Sequence, residues 1–170
     1  RYPFMRKSAQ ATQTFEPLLQ LGWTGGEDLN IPVDESSRVE FDEGNLLSLS
    51  RFPRPDRREH GPTVAYGFKW ARHSTSGWIT SLAFGQVLRK QADSDFSKTS
   101  GLSAAKSDYL VAGQLGSANG LQIIARGLFN NQFEVSKAEM RGTWNMRKTS
   151  LSSSYIWLTD DAAEGRENKG

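Results

Sequence analysis

The sequence predicts an all-β fold, an antiparallel meander of about eight strands with one apolar face, the wall of a transmembrane β-barrel. Three observations predict it. Apolar residues recur at every second position in run after run, and the connections between runs are mostly short and long in turn. No stretch approaches the roughly 18 consecutive apolar residues of a membrane-crossing helix, whereas most of the runs come near the roughly 9–11 residues that a tilted strand needs.

Two less regular runs come first, residues 1–6 and 12–23, weakened by Pro3 and Pro17, which cannot donate to a sheet ladder. The clearest alternation follows at residues 63–72: Val64, Tyr66, Phe68 and Trp70 face one way, Thr63, Ala65, Gly67, Lys69 and Ala71 the other. Residues 78–88 repeat it with Trp78, Leu82, Phe84 and Leu88, although Thr80 and Gln86 blur the apolar side. Next come Tyr109, Val111 and Leu115 against Asp108, Ala112 and Gln114, then Leu121, Ile123, Ala125 and Phe129 against Gln122 and Arg126. Residues 134–146 set Ala138, Met140, Trp144 and Met146 against Lys137, Glu139, Arg141, Thr143 and Asn145. The last run sets Leu151, Tyr155 and Trp157 against Ser150, Ser152 and Ser154. Helix-period patterns are scarce, with one short helical turn expected at 45–49.

The connections at 7–11, 73–77, 117–120 and 147–149 are short, while those at 24–62 and 89–106 are long. A membrane barrel has this asymmetry, with short periplasmic turns and longer outer loops. Asn130-Asn131 breaks the pattern by being short where a long loop is due. Trp23, Trp70, Trp78, Tyr109, Phe129, Trp144 and Trp157 stand near strand ends, where girdles of amphipathic rings meet the headgroup level.

Composition sets limits. Hydrophobic residues make up 36%, aromatic residues 11%, and Gly numbers 16, which suits a sheet with one wet face better than a thick interior or a disordered chain. The Gly- and Ser-rich polar face favours a wide lumen over a packed core. Lys+Arg number 21 and Asp+Glu 19, so the net charge of +2 gives no reason to expect a nucleic-acid partner. Cys is absent, which excludes disulfides, thiolate metal sites and a Cys nucleophile in these residues. From these patterns alone three architectures remain open: a slice of a larger barrel, a complete eight-stranded barrel serving as anchor or adhesin, and a soluble β-sandwich binding module.

One stretch goes beyond pattern. Residues 45–61, Asn-Leu-Leu-Ser-Leu-Ser-Arg-Phe-Pro-Arg-Pro-Asp-Arg-Arg-Glu-His-Gly, lead into the strand carrying Tyr66-Gly67. They resemble a loop-to-strand signature of the lipopolysaccharide-assembly protein family, also called the organic solvent tolerance proteins. Arg1-Tyr2-Pro3-Phe4, Phe15-Glu16-Pro17, Asn30-Ile31-Pro32 and Asp42 precede it in the order that family shows. The resemblance is close over residues 1–72 and rests on strand layout beyond them. Arg54-Pro55 departs from it, standing where the family carries a glycine and a large residue, and loses a glycine's tolerance of φ > 0.

The resemblance implies a large outer-membrane barrel that assembles lipopolysaccharide into the outer leaflet as a transporter, not an enzyme. It implies lipopolysaccharide as cargo, a lipoprotein plug in the lumen, periplasmic bridge proteins that deliver the lipid, outer membrane lipids around the wall, and no cofactor. Residues 1–170 then read as a partial barrel domain, since Arg1 opens inside a strand and 160–170 resembles an unfinished outer loop. Arg51, Phe52, Asp56, Arg57, Glu59, Gly61, Tyr66 and Gly67 are its signature residues. Their charged members have the geometry to pin a long loop to the barrel wall through bidentate contacts. Lys69, Arg126, Lys137 and Arg141, with Lys148, form a cationic set on the polar side that would meet anionic headgroups, although an ordinary wet interior shows the same polarity.

Chemistry is otherwise thin. The acidic pairs Glu27-Asp28, Asp34-Glu35 and Asp42-Glu43 match no calcium-loop spacing and read as solvated loop charges. His60 and His73 lie in connections, outside any metal-ligand spacing, and no Gly-x-Ser-x-Gly elbow occurs. Neither a metal site nor a catalytic site is expected.

Overall fold

A computed structural model describes residues 2–25, 39, 41–52, 58–93 and 95–158. They form β1 (Phe4–Lys7), β2 (Ala11–Thr24), β3 (Gly61–Ser74), β4 (Trp78–Arg89), β5 (Tyr109–Ser117), β6 (Leu121–Phe129), β7 (Val135–Met146) and β8 (Thr149–Leu158). All eight strands pair in sequence order in one antiparallel sheet. The only helix among the described residues is a single 3-10 turn, Lys98–Ser100. The sheet is not closed: β1 and β8 are its edges, and no ladder joins them among the described residues. Among the described residues no second sheet packs on the first, as a sandwich would require.

The predicted strands are present, with ends shifted by a few residues. β1–β2 pairing stops at Phe4↔Phe15. Its continuation would put Pro3 and Pro17 into the ladder, where neither has an N–H to give. β6 and β7 slip past one another between Leu128 and Phe129, so that Lys137 faces Leu128 and Val135 faces Phe129. This bulge leaves Ser136 unmatched.

The registers sort every side chain to one face. On the outer face stand Phe15, Leu19, Leu21 and Trp23, then Val64, Tyr66, Phe68 and Trp70, then Trp78, Leu82, Phe84 and Leu88. Many of these rings and aliphatic chains are exposed, Leu21 at 74% and Trp23 at 76%. So extensive an apolar surface requires a cover that is not water. Trp23, Tyr109, Phe129 and Trp157 mark its long-loop end, and Trp70, Trp78 and Trp144 lie toward the short-turn end. A diagonal ladder of rings, Phe15, Phe68, Phe84, Tyr109 and Phe133, crosses between these levels with neighbouring centroids 5.3–5.9 Å apart. Phe133 holds φ 62 in the β6–β7 turn, a strained value for an aromatic residue, while its ring stacks on Tyr109 at 5.3 Å.

The inner face departs from the expected polar lumen. Near the long-loop end it is a packed core: Leu18, Ala65, Val87, Leu110 and Leu128 of the strands are covered by Val39, Phe41, Leu46 and Phe52 of the first long loop and by Phe96 and Leu102 of the second. A sequence pattern scored strand by strand cannot see this, because the covering residues lie in loops that read as polar. Only the lower inner face, toward the short turns, carries the predicted Ser, Thr, Gln and charged side chains.

Candidate functional site

The segment 41–52 turns into the barrel wall because its own side chains close a turn. Asp42 caps it: its Oδ1 accepts from the Gly44 and Asn45 amides, each at 2.8 Å, while Asn45 Oδ1 accepts from the Asp42 amide at 3.0 Å. The Leu46 amide then donates to Asp42 O at 3.1 Å, closing a non-helical turn over 42–46, whereas the helical turn expected at 45–49 is not formed. Leu46 is buried above Gly85, where a Cβ would come within 2.3 Å of the Leu46 Cδ2 atom. Gly67, paired with Gly85 in the ladder, is equally confined, since a Cβ there would lie 2.0 Å from the Phe84 carbonyl oxygen. These two glycines make the dent that receives the loop.

A buried ion cluster fastens the same segment from the other side. Glu59 accepts from Arg51 Nη1 at both oxygens, 2.8 and 3.0 Å, from the Arg51 amide at 2.9 Å, and from Arg89 Nε at 2.6 Å. Arg51 also donates to Leu46 O at 2.9 Å, and Arg89 to Leu102 O at 2.6 Å. The Arg89 guanidinium lies 4.9 Å from the Phe96 ring centroid, and Phe96 stacks on Phe52 at 4.2 Å. Residues of both long loops thus meet at the end of β4. Burial raises the Glu59 carboxyl, but hydrogen bonds and charge from Arg89 and Arg51 outweigh it and hold the group below its usual range. Burial depresses Arg51, opposed by the charge of Glu59. Arg51 Nε and Arg89 Nη2 are buried without hydrogen-bond partners. Two guanidiniums against one carboxylate leave the cluster dependent on Glu59.

Among the signature residues, Arg51, Phe52 and Glu59 come together in this cluster. Gly61 opens β3 at φ +82, where a side chain is disfavoured. Tyr66 points outward and its hydroxyl donates to Gln86 Oε1, while Gln86 Nε2 donates to Ser107 O at 2.9 Å. Gln86, which blurred the apolar pattern, is therefore a buried, satisfied polar group on the outer face. Asp56 and Arg57 lie outside the described residues, as do Glu27-Asp28 and Asp34-Glu35. Sequence reasoning missed Arg89, which sits at a strand end and gave no motif.

Below the core runs a row of charges set by register alone: Glu16, Lys69, Ala83, Ala112, Arg126 and Glu139 face one another across β2 to β7. Lys69, Arg126, Lys137 and Arg141 share the inner face, as the alternation predicted, whereas Lys148 lies in the β7–β8 turn. Arg126 grips Glu43 of the loop through Nε at 3.0 Å and Nη2 at 3.2 Å, and approaches Glu139 at 3.7 Å. Lys137 pairs with Glu139 at 2.7 Å. Glu139 lies two residues from Arg141 on the same face of β7 and lines the same cavity. Burial raises Glu43, but Arg126 and Lys69 hold its carboxyl below the usual range. Glu43 and Lys69 line a cavity of about 390 Å³ with Glu16, Gln114 and Ile124. Arg126 and Arg141 line another of about 270 Å³, with Ser154 and the apolar Ile124 and Ile156.

A meander with an apolar outer face, aromatic bands toward both ends and a loop-filled, charged inner face is the wall of a membrane-type β-barrel. The chain belongs to the LptD family, described as LPS transport system D, whose model matches residues 1–170. Membership gives it a role in lipopolysaccharide assembly at the Gram-negative outer membrane. A comparison with curated proteins finds no match.

Proposed function

We propose that residues 1–170 form one stretch of the barrel wall of the lipopolysaccharide translocon, spanning the outer membrane with the long loops outside, and that they act by transport without catalysis. The carrying observation is the two-faced sheet: an exposed apolar outer face that suits lipid, backed by an inner row with Lys69 and Arg126 flanking a shallow trench of alanines. Lys69, Arg126, Lys137 and Arg141 then meet anionic headgroups on the lumen side. Arg141 is the readiest of them, because Ile124 and Ile156 line its cavity and give acyl carbons an apolar neighbourhood. The inner face is also where a plug lipoprotein would seat, and the short-turn end is where periplasmic bridge proteins would deliver cargo. The signature residues Arg51, Phe52, Glu59 and Gly61 hold the long loop.

The test replaces Arg126 and Arg141 singly by Gln in the protein carrying this chain and follows lipopolysaccharide arrival at the cell surface. Slower delivery at an unchanged level of folded barrel is expected. Delivery at the wild-type rate in both variants would remove the cationic face from the transport path.

A further inference from the structure

We infer that Glu43 is an internal stand-in for a phosphate group, occupying an anion site formed by Arg126 and Lys69 until a phosphate, free or on a lipid headgroup, displaces it. This rests on the proposal that the inner cations meet headgroups and adds how their site is kept.

The argument begins with the row. Lys69 and Arg126 are three strands apart, roughly 14 Å between Cα atoms at normal strand spacing, with only Ala83 and Ala112 between them. Two long cationic side chains bracketing two methyl groups leave an open trench at the charged level. Nothing from the wall fills it: the wall's own acids, Glu16 and Glu139, stand on the outer flanks of the row, opposite Lys69 and Arg126. The filling group is Glu43, delivered from the loop 83 residues away in sequence from Arg126. It presents both oxygens to the guanidinium in the forked geometry that also suits a phosphate.

The pair is accessible, in contrast to the cluster above it. Side-chain exposure is 27% for Arg126 and 35% for Glu43, against 1% and 0% for Arg51 and Glu59. A partly exposed pair of this kind is weaker and more open to competition than a fully buried one. Cavities lie on both sides, one lined by Glu43 and Lys69, the other by Arg126 and Arg141, so an anion can approach from either. Displacement of Glu43 does not require release of the whole loop, because Leu46 over Gly85 and the Arg51–Glu59–Arg89 cluster hold its remainder. A phosphate with more than one negative charge would outcompete a single carboxylate for the two cations.

The experiment uses the complete protein in phosphatidylcholine nanodiscs, titrated with inorganic pyrophosphate, and in a second arm with phosphatidate added to the nanodiscs. Calorimetry reads pyrophosphate affinity, and hydrogen exchange reads the Gly44 and Asn45 amides, which the Asp42 cap protects. The wild type should bind pyrophosphate, with faster exchange at these two amides. Glu43→Gln, lacking the internal competitor, should bind roughly 2- to 10-fold tighter. Arg126→Gln should lose on the order of tenfold or more, and Lys69→Gln, on a different strand, should weaken binding independently. A response to pyrophosphate alone would assign the site to free phosphates, and a response to phosphatidate assigns it to lipid headgroups. Either supports the inference, and no response in both arms overturns it. Unchanged affinity in Glu43→Gln with weakened binding in Arg126→Gln would refute the stand-in role while leaving the cationic face intact. If neither variant alters binding, both readings fall.

Discussion

Glu59→Gln should unfasten the long loop while leaving the sheet folded. Among the described residues, Glu59 is the sole carboxylate in direct contact with the two buried guanidiniums, accepting four hydrogen bonds from Arg51 and Arg89. Losing one member of a buried ion pair costs about 3–5 kcal/mol. Gln retains one acceptor oxygen and nearly the same volume, which argues for the lower end, about 3 kcal/mol, or roughly a 150-fold rise in the opening equilibrium of the loop. The ladders of β2 to β8 do not pass through Glu59, so barrel content by circular dichroism should be unchanged. Hydrogen exchange is the assay. The Arg51 amide, bonded to Glu59 Oε1, and the Arg89 amide, bonded to Ala105 O at 2.7 Å, should lose protection together. Replacing the trio by Arg51→Met, Glu59→Leu and Arg89→Met should restore much of that protection, because an apolar cluster of similar size carries no desolvation cost. Protection in Glu59→Gln within threefold of the wild type would refute the view that charge balance holds the loop.

Three further outcomes are expected. Gly85→Ala should push Leu46 from its seat and destabilise the turned-in segment by about 1–3 kcal/mol, with Leu46→Ala in the same chain recovering part of the loss, as read by protease cleavage within 41–52. The Glu59 and Glu43 carboxyls are both held below their ordinary value of 4.5, so their stabilisation is fully present above that pH and is lost as pH falls through the lowered values. Pepsin should therefore spare the segment 41–52 near pH 4.5 and cut it only in stronger acid. Leu82→Lys on the outer face should cost about 2–4 kcal/mol in urea-dependent folding into lipid vesicles, and Ser81→Lys on the inner face far less, so equal costs would contradict the assignment of faces.

The strands were legible because each one, taken alone, separates Val64, Tyr66, Phe68 and Trp70 from Lys69 and its neighbours. The same simplicity hid the plug. Leu18, Val87, Leu110 and Leu128 lie on the face that the alternation assigns to water, and Phe41, Leu46 and Phe52 lie in a loop of polar composition. The two sets pack on each other, which no strand taken alone reveals. The Arg51 and Glu59 side chains were legible through the signature, but their third partner, Arg89, was not, since its place at the end of β4 follows from where the second long loop turns back. Glu43 was set aside as a solvated loop charge; the counter-signal was the cation pair on the wall with no acid between its members.

That counter-signal is a property of register, not of any single strand. Gly67 lies opposite Gly85, and Ala83 opposite Ala112, so the small residues of neighbouring strands align into a dent and, one row below, a trench. A slip of one residue in β4 would turn every one of its side chains to the other face, removing Gly85 from beneath Leu46 and Ala83 from between Lys69 and Arg126. The apolar outer face resists such a slip, because it would place Phe84 and Leu82 inside and Gly85 and Ala83 against lipid. The pattern that suits the sheet to a membrane therefore also fixes the seat for the loop and the gap between the cations. For this chain, the place to look for the transport path is where small residues coincide across strands beside long cationic ones.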